Sequence, residues 1–342
     1  MTVRMKDVAA DLGISIVTVS KVLNNHHDIS EVTRARVLRR VKELNYQPNL
    51  HARGLASGQS FMIGLIVPDL VHAFFSEVAQ NLAGTIRRKG FGLMIASSNE
   101  DAAFEREEIE LMIRRRVDVL IVASCQPNAS QLRKAAEEVP LILLDRRFDD
   151  FEGNFVGTDD PLVGRLATEH LLQMGYTRVA HIGGQKTSTS YGRLQGYRDT
   201  LTRHQLTIRE SYIVGRKRAD VGGDVSGRLA MEKLLLLKPL PDAVFCYNDP
   251  AAIGAMTAII SAGLSIPGDI AIVGAGNIRY AESLRVPLSS VEVSSAALGE
   301  HAGKLAVELT LKKRKARPRT ILVRPKLMIR DSSTPLREKT SG

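Results

Sequence analysis

The sequence contains only two cysteines, Cys125 and Cys246, and each follows a short apolar run that is typical of a buried strand. Their separation excludes the closely spaced ligand pairs of a structural zinc site, so we expect no metal site. Two reduced thiols in or beside the core are also typical of proteins from a reducing compartment. The cysteine content therefore favours the cytoplasm and excludes a disulfide framework.

Long apolar runs are missing as well. No run approaches the roughly 18 apolar residues of a membrane-spanning helix, and we expect no membrane partner. The N-terminal stretch MTVRMKDVAADLG carries charges where a signal peptide needs an apolar segment. Both observations predict a cytoplasmic protein.

Catalytic motifs are also missing. The sequence lacks GxSxG, HExxH and the GK[ST] end of a phosphate-binding loop, and its eight histidines are scattered. VGAGNIRY supplies the first two glycines of a dinucleotide-binding fingerprint, but Arg279 stands at the third position. We therefore expect no catalytic residues, no cofactor and no enzymatic activity.

Basic residues, in contrast, are plentiful. The 342 residues carry a formal net charge of +10, which favours a polyanionic partner without proving one. The first 60 residues contain nine lysines and arginines against five acidic residues. A chain of this length exceeds one typical core, so we expect two or three domains.

The N-terminal segment is predicted to form three short helices, at 5–12, 16–24 and 31–44. Ser15 and Ser30 are suited to cap the second and third helices. Helical spacing predicts a small shared core. Its members are Met5, Val8, Ala9, Leu12, Val19, Val22, Leu23, Val37, Val41 and Leu44. A helix-turn-helix fits this pattern, and so does any other small three-helix bundle.

From residue 61 onward, short apolar runs alternate with amphipathic helices, and the alternation starts again after residue 157. The predicted helices span 75–89, 104–115, 129–138, 161–174, 191–204, 224–237 and 250–262. Continuous apolar strands separated by helices indicate parallel sheets covered on both faces. The predicted fold is a small all-α headpiece followed by an α/β region with two doubly wound parallel sheets. In such sheets ligands bind outside the carboxyl ends of the strands, so two lobes can share one cleft.

The sequence resembles the lac repressor (LacI/GalR) family of bacterial transcription regulators. MKDVAADLGISIVTVSKVLNN and ISEVTRARVLRRVKELNYQPN are similar to the family's DNA-binding headpiece. PDLVHAFFSEV, GRLQGYRDTL, YNDPAAIGAM and GDIAIVGAGN are similar to motifs of its effector sensor. The resemblance covers nearly the whole chain and implies a helix-turn-helix headpiece followed by a two-lobed, periplasmic-binding-protein-like sensor.

The resemblance also implies a domain layout. We expect the headpiece at 1–47, a hinge helix at 48–59, the effector-binding and dimerisation domain at 60–332 and a disordered tail at 333–342. Within the sensor, the N-lobe is expected at 60–158 plus 293–320, and the C-lobe at 159–292 plus 321–332. The tail lacks the apolar heptads of a tetramerising coiled coil, which favours a homodimer.

In the headpiece, the resemblance implies that the second helix enters the major groove with Ile16, Val17 and Lys21 reading base edges. Apolar side chains at its tip would touch thymine methyl groups, and Lys21 would donate to guanine. Alternatively, Ile16 belongs to the headpiece core, because it shares a helix face with Val19 and Leu23. Phosphate contacts are implied for Thr18, Ser20, Asn24, Ser30, Thr33 and Arg34, each of which is otherwise an ordinary surface residue or helix cap.

Residues 49–57, NLHARGLAS, resemble the family's hinge helix, which folds in the minor groove. The resemblance implies that Leu55 wedges between base pairs beside Ala52 and Arg53. Gly54 lies inside this helix and makes it about 1 kcal/mol less favourable than alanine would. The hinge is therefore expected to need DNA in order to fold.

In the sensor, the resemblance implies a small effector, commonly a sugar or a related metabolite. The positions that match effector contacts are Phe74, Asp145, Asp159, Arg193, Asn248 and Asn277. Two alternatives stay open for the acids: Asp145 ends a strand, and Asp249 caps the helix at 250–262. The family's VGYDD or VGFDD is replaced here by VGAGN, so Gly276 stands where an aspartate usually holds sugar hydroxyls. That departure leaves open a different, larger or anionic ligand.

The predicted function is therefore a sequence-specific transcription regulator, expected to act as a repressor. Its partners would be a pseudo-palindromic double-stranded DNA operator, a carbohydrate-like effector and a second copy of the chain. A periplasmic solute-binding protein shares the two-lobed fold but has no basic headpiece. An enzyme on a doubly wound fold lacks support from any catalytic motif.

Overall fold

The computed structural model describes residues 3–23, 27–46, 58–215, 222–311 and 317–335. The chain divides into two compact units, Met1–Phe61 and Met62–Gly342. The predicted hinge residues Ala52, Arg53 and Leu55, and the predicted phosphate contact Asn24, lie outside the described residues.

The first unit is the predicted three-helix bundle, with α1 at Met5–Leu12, α2 at Ile16–Leu23 and α3 at Glu31–Glu43. Both predicted caps are confirmed. The Thr18 amide donates to Ser15 Oγ at 3.0 Å, and the Thr33 amide donates to Ser30 Oγ at 3.2 Å. The predicted core is also confirmed, because all of its members are buried or pack against the buried cluster.

The second unit contains twelve strands within the described residues. They are β1 Met62–Val67, β2 Gly92–Ser97, β3 Val119–Val122, β4 Leu141–Leu144, β5 Asn154–Thr158, β6 Val179–Ile182, β7 Ile213–Val214, β8 Ala243–Cys246, β9 Ala271–Gly276, β10 Ser289–Glu292, β11 Thr320–Val323 and β12 Lys326–Met328. Strands β1, β3 and β4 are buried almost throughout, as continuous apolar runs predict.

The helices of this unit cover both sheets. They are α4 Ala73–Arg87, α5 Ala102–Arg114, α6 Ser130–Glu138, α7 Asp160–Gln173, α8 Ser188–Arg203, α9 Gly223–Leu234, α10 Asp249–Ser261 and α11 Ser295–Leu311. Several begin earlier than predicted because a side chain caps the first turn. Thr187 Oγ1, for example, accepts from the Ser190 amide at 3.3 Å and starts α8 three residues before position 191.

The two sheets confirm the two doubly wound lobes. The first sheet has the order β11-β5-β4-β3-β1-β2, and all its pairings are parallel. The second has the order β12-β10-β9-β8-β6-β7, with β12 antiparallel to β10 and the other pairings parallel. In both sheets the edge that can bind a ligand is the one at the carboxyl ends of the parallel strands.

Two details differ from the predicted layout. Residues 321–323 belong to the first lobe, because β11 pairs in parallel with β5 before the chain crosses to β12. The chain also stays ordered beyond residue 332. Ser333 is buried, and its Oγ lies 2.7 Å from both His170 Nε2 and Ser289 Oγ. These hydrogen bonds fasten the segment to the second lobe.

Within the described residues, every helix is too short or too polar to cross a lipid bilayer.

Candidate functional site

The first turn of α2 carries two apolar side chains that the headpiece core does not use. Ile16 is 51% exposed and Val17 is 63% exposed, whereas Val19 and Val22 on the same helix are buried. The alternative that places Ile16 in the core is therefore wrong. The helix displays an apolar tip to its surroundings, next to polar and basic side chains.

Lys21 lies one helical turn after Val17 and is half-exposed. Its ammonium group forms an ion pair with the Asp28 carboxylate, across the turn between α2 and α3. This contact holds the lysine beside the exposed tip. A partner that accepts a hydrogen bond from Lys21 must therefore compete with Asp28.

Polar groups border this helix. Thr18 Oγ1 lies 2.9 Å from Ser15 Oγ, and Ser30 Oγ donates to Thr33 Oγ1 at 2.9 Å. Arg34 Nε lies 3.7 Å from Glu31 Oε1 on the first turn of α3. The predicted phosphate-contacting residues that the structure describes are Thr18, Ser20, Ser30, Thr33 and Arg34, at partly or fully exposed positions. Helix starts and hydroxyl groups of this kind suit contacts with phosphate.

The second unit has a cavity of about 270 Å³ between its lobes, at the carboxyl ends of strands from both sheets. Four of the predicted effector contacts line it: Phe74, Asp145, Arg193 and Asn248. Asp159 and Asn277 are not among the residues that line it. Asp159 instead caps α7 by accepting from the Leu162 amide at 3.0 Å.

Arg193 is almost completely buried against the floor of this cavity. Its Nε donates to Asp160 Oδ1 at 3.0 Å, its Nη1 donates to the Tyr247 carbonyl at 2.6 Å, and its guanidinium lies 5.0 Å from the centre of the Tyr247 ring. Burial raises the pKa of Asp160, while the neighbouring Arg193 opposes that rise. The pair holds the arginine rigidly and balances its charge.

A second arginine in the cavity wall was missed by sequence reasoning. Arg146 makes a two-pronged ion pair with Glu100, at 2.8 Å and 3.0 Å. The two side chains are only 7% and 13% exposed. Arg146 Nε lacks a hydrogen-bond partner among the described residues. Both arginines of the cavity therefore donate hydrogen bonds to acidic side chains.

Asp145 follows β4 directly and is buried at the cavity, so it both ends a strand and faces the cleft. Its φ is +62°, a left-handed conformation that is uncommon for residues other than glycine and that aspartate adopts more readily than most. Burial raises the pKa of its carboxyl group, and Arg193 and Arg146 oppose the rise. Asn99, Glu100, Asn277 and Ser294 also have positive φ values near the strand ends. Such local strain often accompanies binding sites.

The end of β9 carries Gly276 at the position where the family usually has an aspartate. Gly276 has φ +134°, and a Cβ atom there would lie 3.2 Å from Asp249 Oδ2. The alternative in which Asp249 caps α10 is wrong, because the capping side chain is that of Asn248. The Asp249 carboxylate accepts from the Ser290 hydroxyl at 2.6 Å and from the Ile278 amide at 2.8 Å. Asn277 is turned away and accepts from Arg330 Nη2 at 2.8 Å.

His72 is the other cavity residue that sequence reasoning missed. It caps α4, because its Nδ1 accepts from the Phe74 amide at 3.2 Å. Its Nε2 lies 3.3 Å from Asn248 Nδ2 of the opposite lobe. The motif PDLVHAFF places His72 just after β1, which was the available signal.

The comparisons with known proteins agree with this architecture. Residues 4–49 match the profile described as bacterial regulatory proteins, lacI family, and residues 168–333 match a periplasmic binding protein-like domain. The chain is 31% identical to the transcriptional regulator DegA of Bacillus subtilis (strain 168), over 98% of its own length and 99% of that protein. It is 33% identical to the ribose operon repressor of Haemophilus influenzae, over 96% and 98% of the two chains.

The chain belongs to the lacI family of bacterial regulatory proteins. It is therefore a transcriptional regulator in which a DNA-binding headpiece precedes a periplasmic-binding-protein-like domain.

Solved structures of transcriptional regulators show the same fold. A lac repressor dimer bound to operator and an anti-inducer is 24% identical, with a TM-score of 0.84 over 98% of this chain and all of that one. A complex of the regulator CelR with cellobiose is 26% identical, with a TM-score of 0.73 over 96% of this chain and 99% of that one.

Proposed function

We propose that this protein is a repressor that binds a pseudo-palindromic operator as a homodimer, and that a small neutral effector in the cavity between the lobes controls its affinity for DNA. It would act in the cytoplasm by binding alone, without a catalytic step. The observation that carries the proposal is the exposed apolar tip of α2, Ile16 and Val17, on a basic headpiece whose core is complete without it.

The proposed base contacts follow from the positions on α2. Ile16 and Val17 in the first turn suit thymine methyl groups, and Lys21 one turn later suits the guanine acceptors. Thr18, Ser20, Asn24, Ser30, Thr33 and Arg34 are proposed to bind phosphates and so set the register. We propose that Ala52, Arg53 and Leu55 enter the minor groove.

The proposed effector contacts are Phe74, Asp145, Arg193 and Asn248. Phe74 supplies an apolar surface, Asp145 an acceptor, and Asn248 a donor amide that its helix-capping oxygen orients. An effector that prefers one arrangement of the lobes shifts the protein toward it, and the coupling to DNA must be reciprocal. Asp159 and Asn277 lie outside this set, because their side chains accept hydrogen bonds from the Leu162 amide and from Arg330.

The operator itself is the first test. Purified protein is used to select bound fragments from the source genome at about physiological salt, with and without a cell metabolite extract. We expect one or a few pseudo-palindromic sites, with half-sites about one helical turn or a multiple of it apart. Recovery of random fragments under both conditions would contradict the proposal.

Replacing Lys21 with alanine is expected to relax the preference at one base pair in each half-site. A good side-chain contact to a base is worth about 1–3 kcal/mol of discrimination. Binding to a library of single-base operator variants measures the change. Lys42→Ala, on an exposed position of α3, removes the same charge away from α2 and is the control. If Lys21→Ala lowers only the salt dependence, as a lost phosphate contact does, the base-reading role is wrong.

Replacing Leu55 with alanine is expected to weaken operator binding more than non-specific binding, because a wedge acts only where the DNA is kinked. Affinities for the operator and for a scrambled duplex of the same length give the ratio. Leu38→Ala truncates an exposed leucine of α3 and serves as the matched control. Equal losses on the two duplexes would exclude the wedge.

A further inference from the structure

The two lobes meet at a pair of helix caps. His72 precedes α4 in the first lobe, and Asn248 precedes α10 in the second. His72 Nδ1 accepts from the Phe74 amide at 3.2 Å, and Asn248 Oδ1 accepts from the Ala251 amide at 3.0 Å. Each side chain has therefore committed an acceptor atom to its own helix.

The remaining polar atoms of this pair are both donors. Burial lowers the pKa of His72, so the ring is neutral at neutral pH. A neutral imidazole has one acceptor nitrogen and one N–H donor, so with Nδ1 accepting, the hydrogen is on Nε2. Asn248 Nδ2 also carries only hydrogens. These two nitrogens lie 3.3 Å apart, and neither can accept from the other.

One oxygen atom would satisfy both groups. An acceptor about 2.9 Å from each nitrogen completes a triangle with normal hydrogen-bond lengths. Both residues line the cavity between the lobes, so the position is open to a ligand that enters it. The acceptor would join the first lobe to the second through a single atom.

The charges of the cavity favour a neutral molecule. Arg146 and Arg193 are paired with Glu100 and Asp160, as described above. Asp145 adds a carboxylate to the same wall. An anionic ligand would have to compete with Glu100 and Asp160 for the two arginines, whereas a hydroxyl group can donate to Asp145 without breaking either ion pair.

We propose that His72 contacts the effector directly, and that His72 and Asn248 donate together to one oxygen of a neutral, hydroxylated effector whose second hydroxyl donates to Asp145. This inference rests on the proposed role of the cavity as the effector site. It assigns a specificity-determining role to a residue that otherwise looks like an ordinary helix cap.

The tautomer of His72 tests the geometry without any ligand. The full-length protein is labelled with ¹⁵N in its histidine rings, and His72→Asn assigns the signals of residue 72. We expect the form with hydrogen on Nε2 and a bare Nδ1. Hydrogen on Nδ1 would overturn the proposal, because Nε2 would then simply accept from Asn248.

The Asn248→Asp variant supplies the missing acceptor from the protein itself. One carboxylate oxygen can still cap α10, while the other faces His72 Nε2. We expect the pKa of His72 to rise by at least one unit in an NMR titration. Asn99→Asp adds the same charge to another part of the cavity wall and is the control. Equal pKa changes in the two variants would contradict the specific contact.

Ligand binding tests the chemical class. Ribose, galactose, glucose, cellobiose and ribose 5-phosphate are titrated calorimetrically into the wild type and into His72→Ser, in which serine can still cap α4. We expect a neutral sugar to bind the wild type and to lose at least tenfold in affinity with the variant, at an unchanged thermal midpoint. Unchanged affinity, binding of the phosphate alone or binding of none of these compounds would overturn the proposal.

These measurements are made without DNA. If the ligand and NMR results are negative but the protein selects a pseudo-palindromic operator, the proposed function stands and only the proposed role of His72 is wrong. If those results are positive but the protein selects random fragments, the site stands and the proposed control of an operator is wrong.

Discussion

Replacing Glu100 with alanine is expected to lower the free energy of unfolding by about 3–5 kcal/mol, because it leaves the buried charge of Arg146 without its partner. The two side chains are 7% and 13% exposed and share two hydrogen bonds, so the substitution removes the main partner of a largely buried guanidinium. Urea unfolding monitored by circular dichroism gives the free energy of unfolding of the variant and of the wild type.

The control for this experiment is an exposed ion pair in the same unit. Arg228 and Glu232 lie one turn apart on α9. Arg228 Nη1 is 2.7 Å from Glu232 Oε1, and each side chain is 45% exposed. Glu232→Ala should change the free energy of unfolding by less than about 1 kcal/mol. Similar losses for Glu100→Ala and Glu232→Ala would mean that burial does not strengthen the Arg146 pair.

The second large effect is expected at Gly276. Restoring the family's aspartate with Gly276→Asp should destabilise the protein by about 1–3 kcal/mol through the φ of +134° alone. The new carboxylate would also approach Asp249, whose Oδ2 lies 3.2 Å from the site of the Cβ atom. We therefore expect no gain in sugar binding, because the new side chain cannot adopt the family's position without moving this segment.

Gly90→Asp is the comparison variant. Gly90 also has a positive φ, +83°, but a Cβ atom there would have nothing within 4 Å. Aspartate is tolerated better at this φ than at +134°, and only Gly276→Asp brings a carboxylate close to Asp249. Denaturant midpoints should fall further for Gly276→Asp. A smaller loss than for Gly90→Asp, or a sugar affinity above that of the wild type, would contradict this account.

Periodicity and capping chemistry predicted the headpiece helices and the sensor helices as far as residue 262, but not α11 at Ser295–Leu311. Ser15 and Ser30 stood before apolar residues at helical spacing, and both cap their helices. Continuous apolar runs correctly indicated parallel sheets. The chain's passage from the first lobe back to the second was harder to predict, because β11 is half-exposed at a sheet edge and its apolar run is only three residues long.

The predicted cavity residues were implied by the resemblance to the lacI family and did not follow from residue spacing. Phe74, Asp145, Arg193 and Asn248 do line one cavity. Asn277 does not join them, because its φ of +52° lets the side chain reach Arg330 instead.

Contacts between distant segments leave no trace in local sequence. Glu100 and Arg146 are separated by 46 positions, and His72 and Asn248 by 176. Neither pair follows a helical or strand period. The Glu100–Arg146 pair is formed by the segments that follow β2 and β4 within the first lobe, and the His72–Asn248 pair by the closure of the two lobes over the cavity.

The position of the last two strands has a consequence for synthesis on the ribosome. Edge strand β11 of the first sheet and edge strand β12 of the second both come from residues 320–328. A nascent chain that stops before them leaves β5 and β10 as open edges, which can pair with other chains. Both lobes therefore reach their full sheets only after residues 320–328 have been synthesised, and a product truncated before them would expose two sheet edges that can pair with other chains.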